Sequence, residues 1–397
     1  MVKAVSYNSI LNLSRILFVI FSLQCFIDIG SKVLIFWGIW ILSELLLNNR
    51  NLTRAIKHRH YYYLFFFCVY YVITLLVSSS PIISNLADFL AIVSPLLMYD
   101  LSTIENNRSS KVIIICYTIM CVLNCIYTYY FVSVFGLTNL RKYVGMTNLP
   151  EDFYLLKNSF KFVSGLSLIV PVYVYLFLQK KWKASPKFNT IILLLILIFA
   201  YTVIYAQFLT AILIMLFGSL MAFGYKNKKW FFIGGFSLVL SLLMLPVIID
   251  ALNDSSRNYS VIVTRLDEIN ATVWGNGGET NDMDARSNLR TNSLNTFMNN
   301  FIFGVSINKG TNLEYADVGN HASWIDLLAK YGLFALLLYK MMYIHIRKQM
   351  KVYKLYLIPF LFFILGFLNP LWFFQTISVV FLYAPLLLKN YKLEYLK

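Results

Sequence analysis

Two arginines in the second half of the chain have the type and spacing that diphosphate binding needs. Arg286 and Arg290 are four residues apart in the segment ARSNLRTNSL, so a helix would carry both on the same face. Each guanidinium offers a rigid fork of donors that matches the oxygens of a phosphate group. The pair is therefore a candidate diphosphate clamp. The alternative is that the two arginines contact lipid headgroups or pair with Asp282 and Asp284.

A histidine stands where a long polar segment meets an apolar run, in GNHASWIDLLAKYGLF. The residue before it, Asn320, is of a type that favours the N-cap position, so we expect a helix to start here. The neutral imidazole of His321 could accept a proton from a hydroxyl group as a general base. The alternative is a histidine at an interface, with its polar tip in water.

Other charged residues are weaker candidates. Arg141, in TNLRKYVGM, could bind an anion or simply be a solvated charge, and Arg265, in VIVTRLDEIN, could pair with a nearby carboxylate. Carboxylates in or beside apolar runs are costly and often functional. Of these, we expect Glu44 and Asp88 to form buried pairs, whereas Asp100 lies near a helix end where water reaches it.

The cysteine pattern and the absence of nucleotide motifs argue against a metal site or a cofactor. All five cysteines lie in apolar segments, and their spacing is typical of neither a redox pair nor a zinc pair. No P-loop or dinucleotide-binding glycine pattern is present in the sequence. We therefore expect no disulfide, no metal and no cofactor.

The composition predicts an integral membrane protein. Apolar residues make up 59% of the 397 residues and charged residues 13%, with a mean hydropathy of +0.67. A soluble domain has about 25% charged residues. Without strand-like alternation, the apolar runs are predicted to be helices. There are twelve of them: 10–27, 33–47, 61–78, 82–99, 111–135, 161–178, 188–205, 208–224, 230–249, 322–343, 355–368 and 371–388.

Basic residues predict the orientation of these helices. The net charge is +16, and 23 of the 34 Lys and Arg residues fall on one side of the predicted membrane. The positive-inside rule then places both termini in the cytoplasm, and the charge reflects topology rather than a nucleic-acid partner. The predicted sections are 1–249, with nine spans and an outer loop 136–160; 250–321, a large extracytoplasmic loop; and 322–397, with three spans and a cytoplasmic tail.

The large loop is expected to contain an amphipathic helix from Ala285 to Gly304. Four apolar residues recur there at helical spacing, which is typical of a helix that lies on a membrane surface. They are Leu289, Leu294, Phe297 and Phe301.

Three local patterns resemble the bacterial O-antigen polymerase and O-antigen ligase superfamily. The segment NHASWIDLLAKYG matches its histidine and a glycine eleven residues on, at His321 and Gly332. The segment ARSNLRTNSLNTFMNNFIFGVS resembles its arginine, aromatic-rich helix and glycine turn, with Gly304 at the turn. The segment RKYVGMTNLP is similar to an arginine and glycine in its earlier loop, at Arg141 and Gly145.

The resemblance implies a GT-C-like membrane glycosyltransferase that acts on the outer face of the bacterial plasma membrane. The donor and acceptor glycans would be linked to undecaprenyl diphosphate. His321 and Arg286 would be catalytic, and Arg290, Arg141 and Arg265 would bind the diphosphate, so arginines would replace a metal ion. The partners implied are membrane lipids and a chain-length regulator protein, with no nucleic acid.

Three functions remain open at this point. A polymerase that joins lipid-linked repeat units is the leading interpretation, because Lys330 and Tyr331 stand where the superfamily often has a carboxylate. A ligase that transfers the glycan to a terminal acceptor shares the same motifs. A flippase for lipid-linked oligosaccharides belongs to a different class, whose members often show repeats and broken helices.

Overall fold

The computed structural model is helical throughout the residues that it describes. These are 2–23, 32–77, 82–105, 107–135, 151–178, 186–226, 281–305, 322–353, 356–368 and 374–395, with single positions at 229, 232, 236, 266 and 318. No strand occurs within these ranges. The prediction of an all-α protein is therefore confirmed for the described part of the chain.

The helices fall into two groups along the sequence. Those before residue 230 are α1 (Val2–Leu23), α2 (Val33–Leu47), α3 (Asn49–Ile56), α4 (His60–Val77), α5 (Ile82–Ile104), α6 (Asn107–Phe135), α7 (Glu151–Leu178), α8 (Pro186–Tyr205) and α9 (Leu209–Lys226). Those after residue 280 are α10 (Asn281–Asn299), α11 (Ser323–Tyr331), α12 (Ala335–Tyr353), α13 (Leu357–Leu368), α14 (Phe374–Ser378) and α15 (Ala384–Tyr395). A 3-10 turn, Gly332–Phe334, joins α11 to α12, and a π-helical turn, Val379–Tyr383, joins α14 to α15.

Helices cover all or most of eleven predicted apolar runs, and the remaining run, 230–249, lies almost wholly outside the described residues. Within the described ranges, two segments are long and apolar enough to cross a membrane, Ser109–Val134 and Ser323–Gln349. They indicate membrane association. The total of twelve spans and the orientation of the termini stay predictions.

Two local features of the first half concern the connections between helices. Gln207 has φ +53°, so the chain turns sharply between α8 and α9, as expected for two apolar runs with so short a connection. Helix α3 occupies the basic segment after α2, which the apolar pattern had marked only as a connection. Its buried residues are Leu52 and Ala55, and Arg50 and Arg54 are exposed, so it is a short amphipathic helix.

Contacts divide the chain into two compact units. One unit contains residues 1–124 and 289–397, and the other contains residues 125–288. Within the first unit, α1 packs against α2 and α4 packs against α12. Within the second, α7 packs against α8 and α9. The end of the sequence therefore shares a core with its beginning.

A buried ion network fastens α1 to α2 and to the end of α5. Arg15 Nε donates to Glu44 Oε1 at 2.6 Å, and Nη2 donates to Glu105 Oε1 at 2.7 Å. Trp40 Nε1 donates to the same Glu44 oxygen at 2.9 Å, and Asn48 Nδ2 donates to Glu44 Oε2 at 2.7 Å. Arg15 and Glu44 are almost fully buried. The predicted buried pairing of Glu44 is confirmed, whereas the side chain of Asp88 lies outside the described residues.

Candidate functional site

Of the predicted site residues, the structure describes one side chain completely. His321, Arg141 and Arg265 lie outside the described residues. The backbone of Arg286 belongs to α10, but its side chain is not among those described. Arg290 lies on α10 with a half-buried side chain. The helix that the two arginines were expected to share is therefore present.

Two glycines hold the end of the arginine helix against the end of α11. Gly304 and Gly332 both have positive φ, +67° and +55°, and their backbones pass in direct contact. The Leu333 N–H donates to the Phe301 carbonyl at 3.0 Å, and the Val305 N–H donates to the Ala329 carbonyl at 3.0 Å. A Cβ at either glycine would collide with the opposite backbone, so only glycine fits. They are two of the three glycines that the sequence motifs single out; the third, Gly145, lies outside the described residues.

Helix α4 supports this glycine crossing, Gly304 with Gly332, from the side. The hydroxyl of Tyr70 donates to the Phe303 carbonyl at 2.5 Å, and the Tyr70 ring stacks on Phe334 with a centroid distance of 4.0 Å. The carbonyl of Phe303 would otherwise lack a partner from regular helical structure. One tyrosine thus fixes the residues on both sides of the crossing.

A second contact joins the two helices near the start of α11. Ser293 Oγ donates to Asp326 Oδ1 at 2.7 Å, and the Ala322 N–H donates to Asp326 Oδ2 at 3.0 Å. Ser293 and Asp326 are both buried. The helix begins at Ser323 with Ala322 at the N-cap position, two residues later than the predicted cap at Asn320. Asp326 thus accepts from the N–H of the N-cap residue itself, whereas the side chain at the N-cap makes no hydrogen bond to the first turn.

Arg290 lies one helical turn before Ser293, so both residues belong to the face of α10 that is directed towards α11. Its Nε atom is buried and has no hydrogen-bond partner among the described residues. A buried guanidinium nitrogen is costly to leave without an acceptor. Within the described residues, the Nε atom of Arg290 thus lacks an acceptor.

The exposed side of α10 carries part of the predicted apolar stripe. Leu294 and Phe301, which were expected to face a membrane surface, are 48% and 47% exposed, and the fully buried position is Ser293. Exposed apolar side chains continue past the helix end at Ile302 and Phe303. The side of α10 that contacts α11 buries a small polar residue, and large apolar residues lie on the exposed side.

A second cluster of polar side chains lies in the same unit, on α4, α5 and α12. His60 Nε2 is 2.8 Å from Asp100 Oδ2, and His345 Nδ1 is 4.0 Å from the same oxygen. All three side chains are buried. The prediction that water reaches Asp100 is wrong, because the side chain has no exposed surface in the packed bundle.

Lys348 lies at the edge of this cluster. Its ammonium is 3.3 Å from Asp100 Oδ1 and 3.4 Å from His58 Nε2. Partial burial lowers the pKa of His58, although the nearby Asp100 carboxylate acts in the opposite direction. His58 is therefore neutral at pH 7, and its Nε2 can accept a hydrogen bond from the lysine.

Sequence reasoning missed this cluster because its members are 40 and 245 residues apart. One signal was present: the protein has four histidines, and three of them occur in the basic segments KHRH and HIRK. The positive-inside rule predicts that both segments lie at the cytoplasmic ends of helices. Their histidines could therefore lie close together in the fold.

No protein-family model, curated protein or solved structure matches the chain. Support for a function therefore comes from the residues themselves and from the local resemblance of the motifs.

Proposed function

We propose that the protein is a membrane glycosyltransferase that polymerises oligosaccharide repeat units linked to undecaprenyl diphosphate. The observation that carries the proposal is the glycine crossing, together with the Ser293–Asp326 hydrogen bond. Both contacts hold the arginine helix α10 beside α11, the helix that begins two residues after His321. The arginine-bearing helix is thereby held next to the element that follows the candidate base, which supports the close positioning that a transfer from a diphosphate requires.

The reaction assigns a separate task to each residue. The acceptor hydroxyl oxygen attacks the anomeric carbon of the donor, and the bond from that carbon to the diphosphate oxygen breaks. His321 takes the hydroxyl proton, and undecaprenyl diphosphate leaves as an anion. Arg286 and Arg290 stabilise the negative charge that develops on the leaving group, and Arg141 and Arg265 add to the positive field of the outer loops.

Exposed apolar residues support a membrane-surface position for this site. Leu294, Met298, Phe301, Ile302 and Phe303 are each at least 47% exposed along the end of α10 and the turns that follow. Such a patch is typical of a helix that lies at the lipid interface. Both substrates carry polyprenyl chains, so an interfacial site lets their head groups meet while the chains stay in the bilayer.

Substitution of His321 by Ala tests the proposal through the products that accumulate. Loss of a general base lowers the rate by roughly 10² to 10⁴. In cells with an intact ligase, we expect surface glycan capped by single repeat units, with the long-chain ladder absent. Expression and membrane insertion, followed with a C-terminal tag, should match the wild type.

Other products would point elsewhere. Long polymer that accumulates on the lipid carrier would make the protein a ligase, and single units held on the cytoplasmic face would make it a flippase. A normal ladder from well-expressed His321→Ala protein would remove His321 from the mechanism. Lys309→Ala, a charge change elsewhere in the same predicted outer loop, is the control and should leave the ladder unchanged.

A further inference from the structure

The cluster on α4, α5 and α12 has the composition of a transition-metal site. His60, Asp100 and His345 each offer one ligand atom, and these three atoms lie within 4.8 Å of one another. Two imidazole nitrogens with one carboxylate oxygen form a donor set that zinc binds readily. We propose that His60 Nε2, Asp100 Oδ2 and His345 Nδ1 bind Zn²⁺, with a water molecule as the fourth ligand.

The distances are close to those that zinc imposes. Zn–N and Zn–O bonds of about 2.0–2.1 Å in a tetrahedron separate neighbouring ligand atoms by about 3.3 Å. His60 Nε2 and Asp100 Oδ2 are 2.8 Å apart, and His345 Nδ1 and Asp100 Oδ2 are 4.0 Å apart. The first pair must therefore open by roughly 0.5 Å and the second close by roughly 0.7 Å to reach this geometry. The two histidine nitrogens lie within 4.8 Å of each other and must reach the same spacing, so binding needs side-chain rotation at all three residues.

The His345 ring provides an independent indication. Its Nδ1 is buried, faces the other two ligands and has no hydrogen-bond partner among the described residues. Its Nε2 is 2.7 Å from the Gln349 side-chain amide. The oxygen and nitrogen of an amide are assigned by context, so a half-turn of this amide makes Gln349 an acceptor for an Nε2 proton. The half-turn gives up the hydrogen bond that the amide nitrogen donates to the Phe381 carbonyl at 3.3 Å. Nδ1 would then present its lone pair to a metal, as in sites where the second ring nitrogen donates to a neighbour.

The positive charge of Lys348 disfavours a metal cation at this site. The position of the lysine nevertheless allows the ammonium and the metal to be present together. Its ammonium contacts Asp100 Oδ1, whereas both histidines approach Oδ2. The lysine side chain is 44% exposed, so it can swing into solvent when a metal neutralises the carboxylate. Lys348 therefore weakens Zn²⁺ binding without blocking it.

A metal here would link α4 and α12, the two helices that adjoin the glycine crossing. Helix α4 supplies His60 and, ten residues later, Tyr70, while α12 begins just after the crossing and supplies His345. Ten residues of helix span about 15 Å. The zinc would thus fix α4 and α12 about 15 Å from the crossing, on the side that basic residues place in the cytoplasm.

Zinc content of the purified full-length protein tests the site. The protein should carry a histidine-free affinity tag, be stripped with a chelator in detergent, and be dialysed against buffered Zn²⁺. We expect one zinc per chain by mass spectrometry of the metal. His60→Ala and His345→Ala should each weaken Zn²⁺ binding by roughly a hundredfold or more, because loss of an outer-shell partner alone already weakens it by about 10- to 100-fold.

Two further variants separate zinc binding from folding. His321→Ala removes the histidine that lies outside this cluster and its basic segments, and its Zn²⁺ binding should equal that of the wild type. Lys348→Met should bind Zn²⁺ tighter by roughly fivefold, a gain that misfolding cannot produce. The proposal fails if wild-type protein takes up less than one zinc per chain, if His345→Ala binds normally, or if Lys348→Met binds no tighter.

Discussion

The glycine crossing makes the sharpest prediction about stability. In Gly304→Ala, the new Cβ would lie 2.6 Å from Gly332 N and closer still to the Lys330 carbonyl oxygen. Both of these neighbours are backbone atoms, which cannot turn aside as a flexible side chain could. The substitution must therefore displace one of the two backbone segments or separate them.

The expected loss follows from three contributions. A left-handed φ costs a residue with a Cβ about 1–2 kcal/mol, forced overpacking costs about 1–3 kcal/mol, and one lost hydrogen bond costs about 1 kcal/mol. The hydrogen bond at risk is that from the Val305 N–H to the Ala329 carbonyl, 3.0 Å long. We expect Gly304→Ala to lower the free energy of unfolding by about 3–6 kcal/mol. Gly332→Ala should behave alike, because its φ is also positive and its Cβ would meet the Ile302 carbonyl.

Gly38 provides the matched control. It lies on α2 with an ordinary helical φ, and a Cβ there would meet nothing within 4 Å. Gly38→Ala should therefore be neutral or stabilise by up to about 1 kcal/mol. Unfolding of each purified variant in mixed micelles of increasing SDS content measures the differences. Equal stability of Gly304→Ala and Gly38→Ala would refute the argument that the two backbones are in contact.

Three further predictions concern charge. Arg15→Met should destabilise the protein by about 3–5 kcal/mol, because it leaves the buried Glu44 carboxylate without its cation, whereas the exposed Arg54→Met should change stability by less than about 0.5 kcal/mol in the same assay. A cysteine at position Asn276, in a background without native cysteines, should react with an impermeant maleimide in intact cells, and labelling only after lysis would reverse the predicted topology. Arg290→Lys keeps the charge but loses the bidentate fork, so turnover of lipid-linked substrate should fall at least tenfold; Arg257→Ala should have little effect, and equal small effects would remove the diphosphate clamp.

The sequence was most informative where hydrophobicity alone decides the structure. Runs of apolar residues predicted helices at nearly the observed positions, because backbone pairing leaves few alternatives to an apolar segment. The burial of Glu44 was also foreseeable, since a carboxylate inside an apolar run needs a partner. Its partner, Arg15, was not named, because the choice among distant basic residues depends on how helices pack.

The features that escaped prediction all depend on contacts between distant segments. Asp100 looked accessible from its place near a helix end, yet α4 and α12 cover it completely. The burial of Ser293 on α10 was not predicted, because it depends on the hydrogen bond with Asp326 of α11. Helical periodicity fixes which residues share a face, and only the packed neighbour decides which face is buried. Gly304 and Gly332 were marked by motif resemblance, but their mutual contact could not be read from either segment.

The Arg15 network sets an order for the synthesis of the protein. Glu105 follows Arg15 by 90 residues, and Glu44 follows it by 29. At about 5–20 residues per second, a ribosome needs roughly 5–20 s to deliver Glu105 after Arg15 has been made. During that interval the guanidinium has one carboxylate at most and must keep contact with water. Helix α1 therefore cannot complete its docking as it emerges. A nascent chain that stops before residue 105 should leave its first helix accessible to proteases and chaperones.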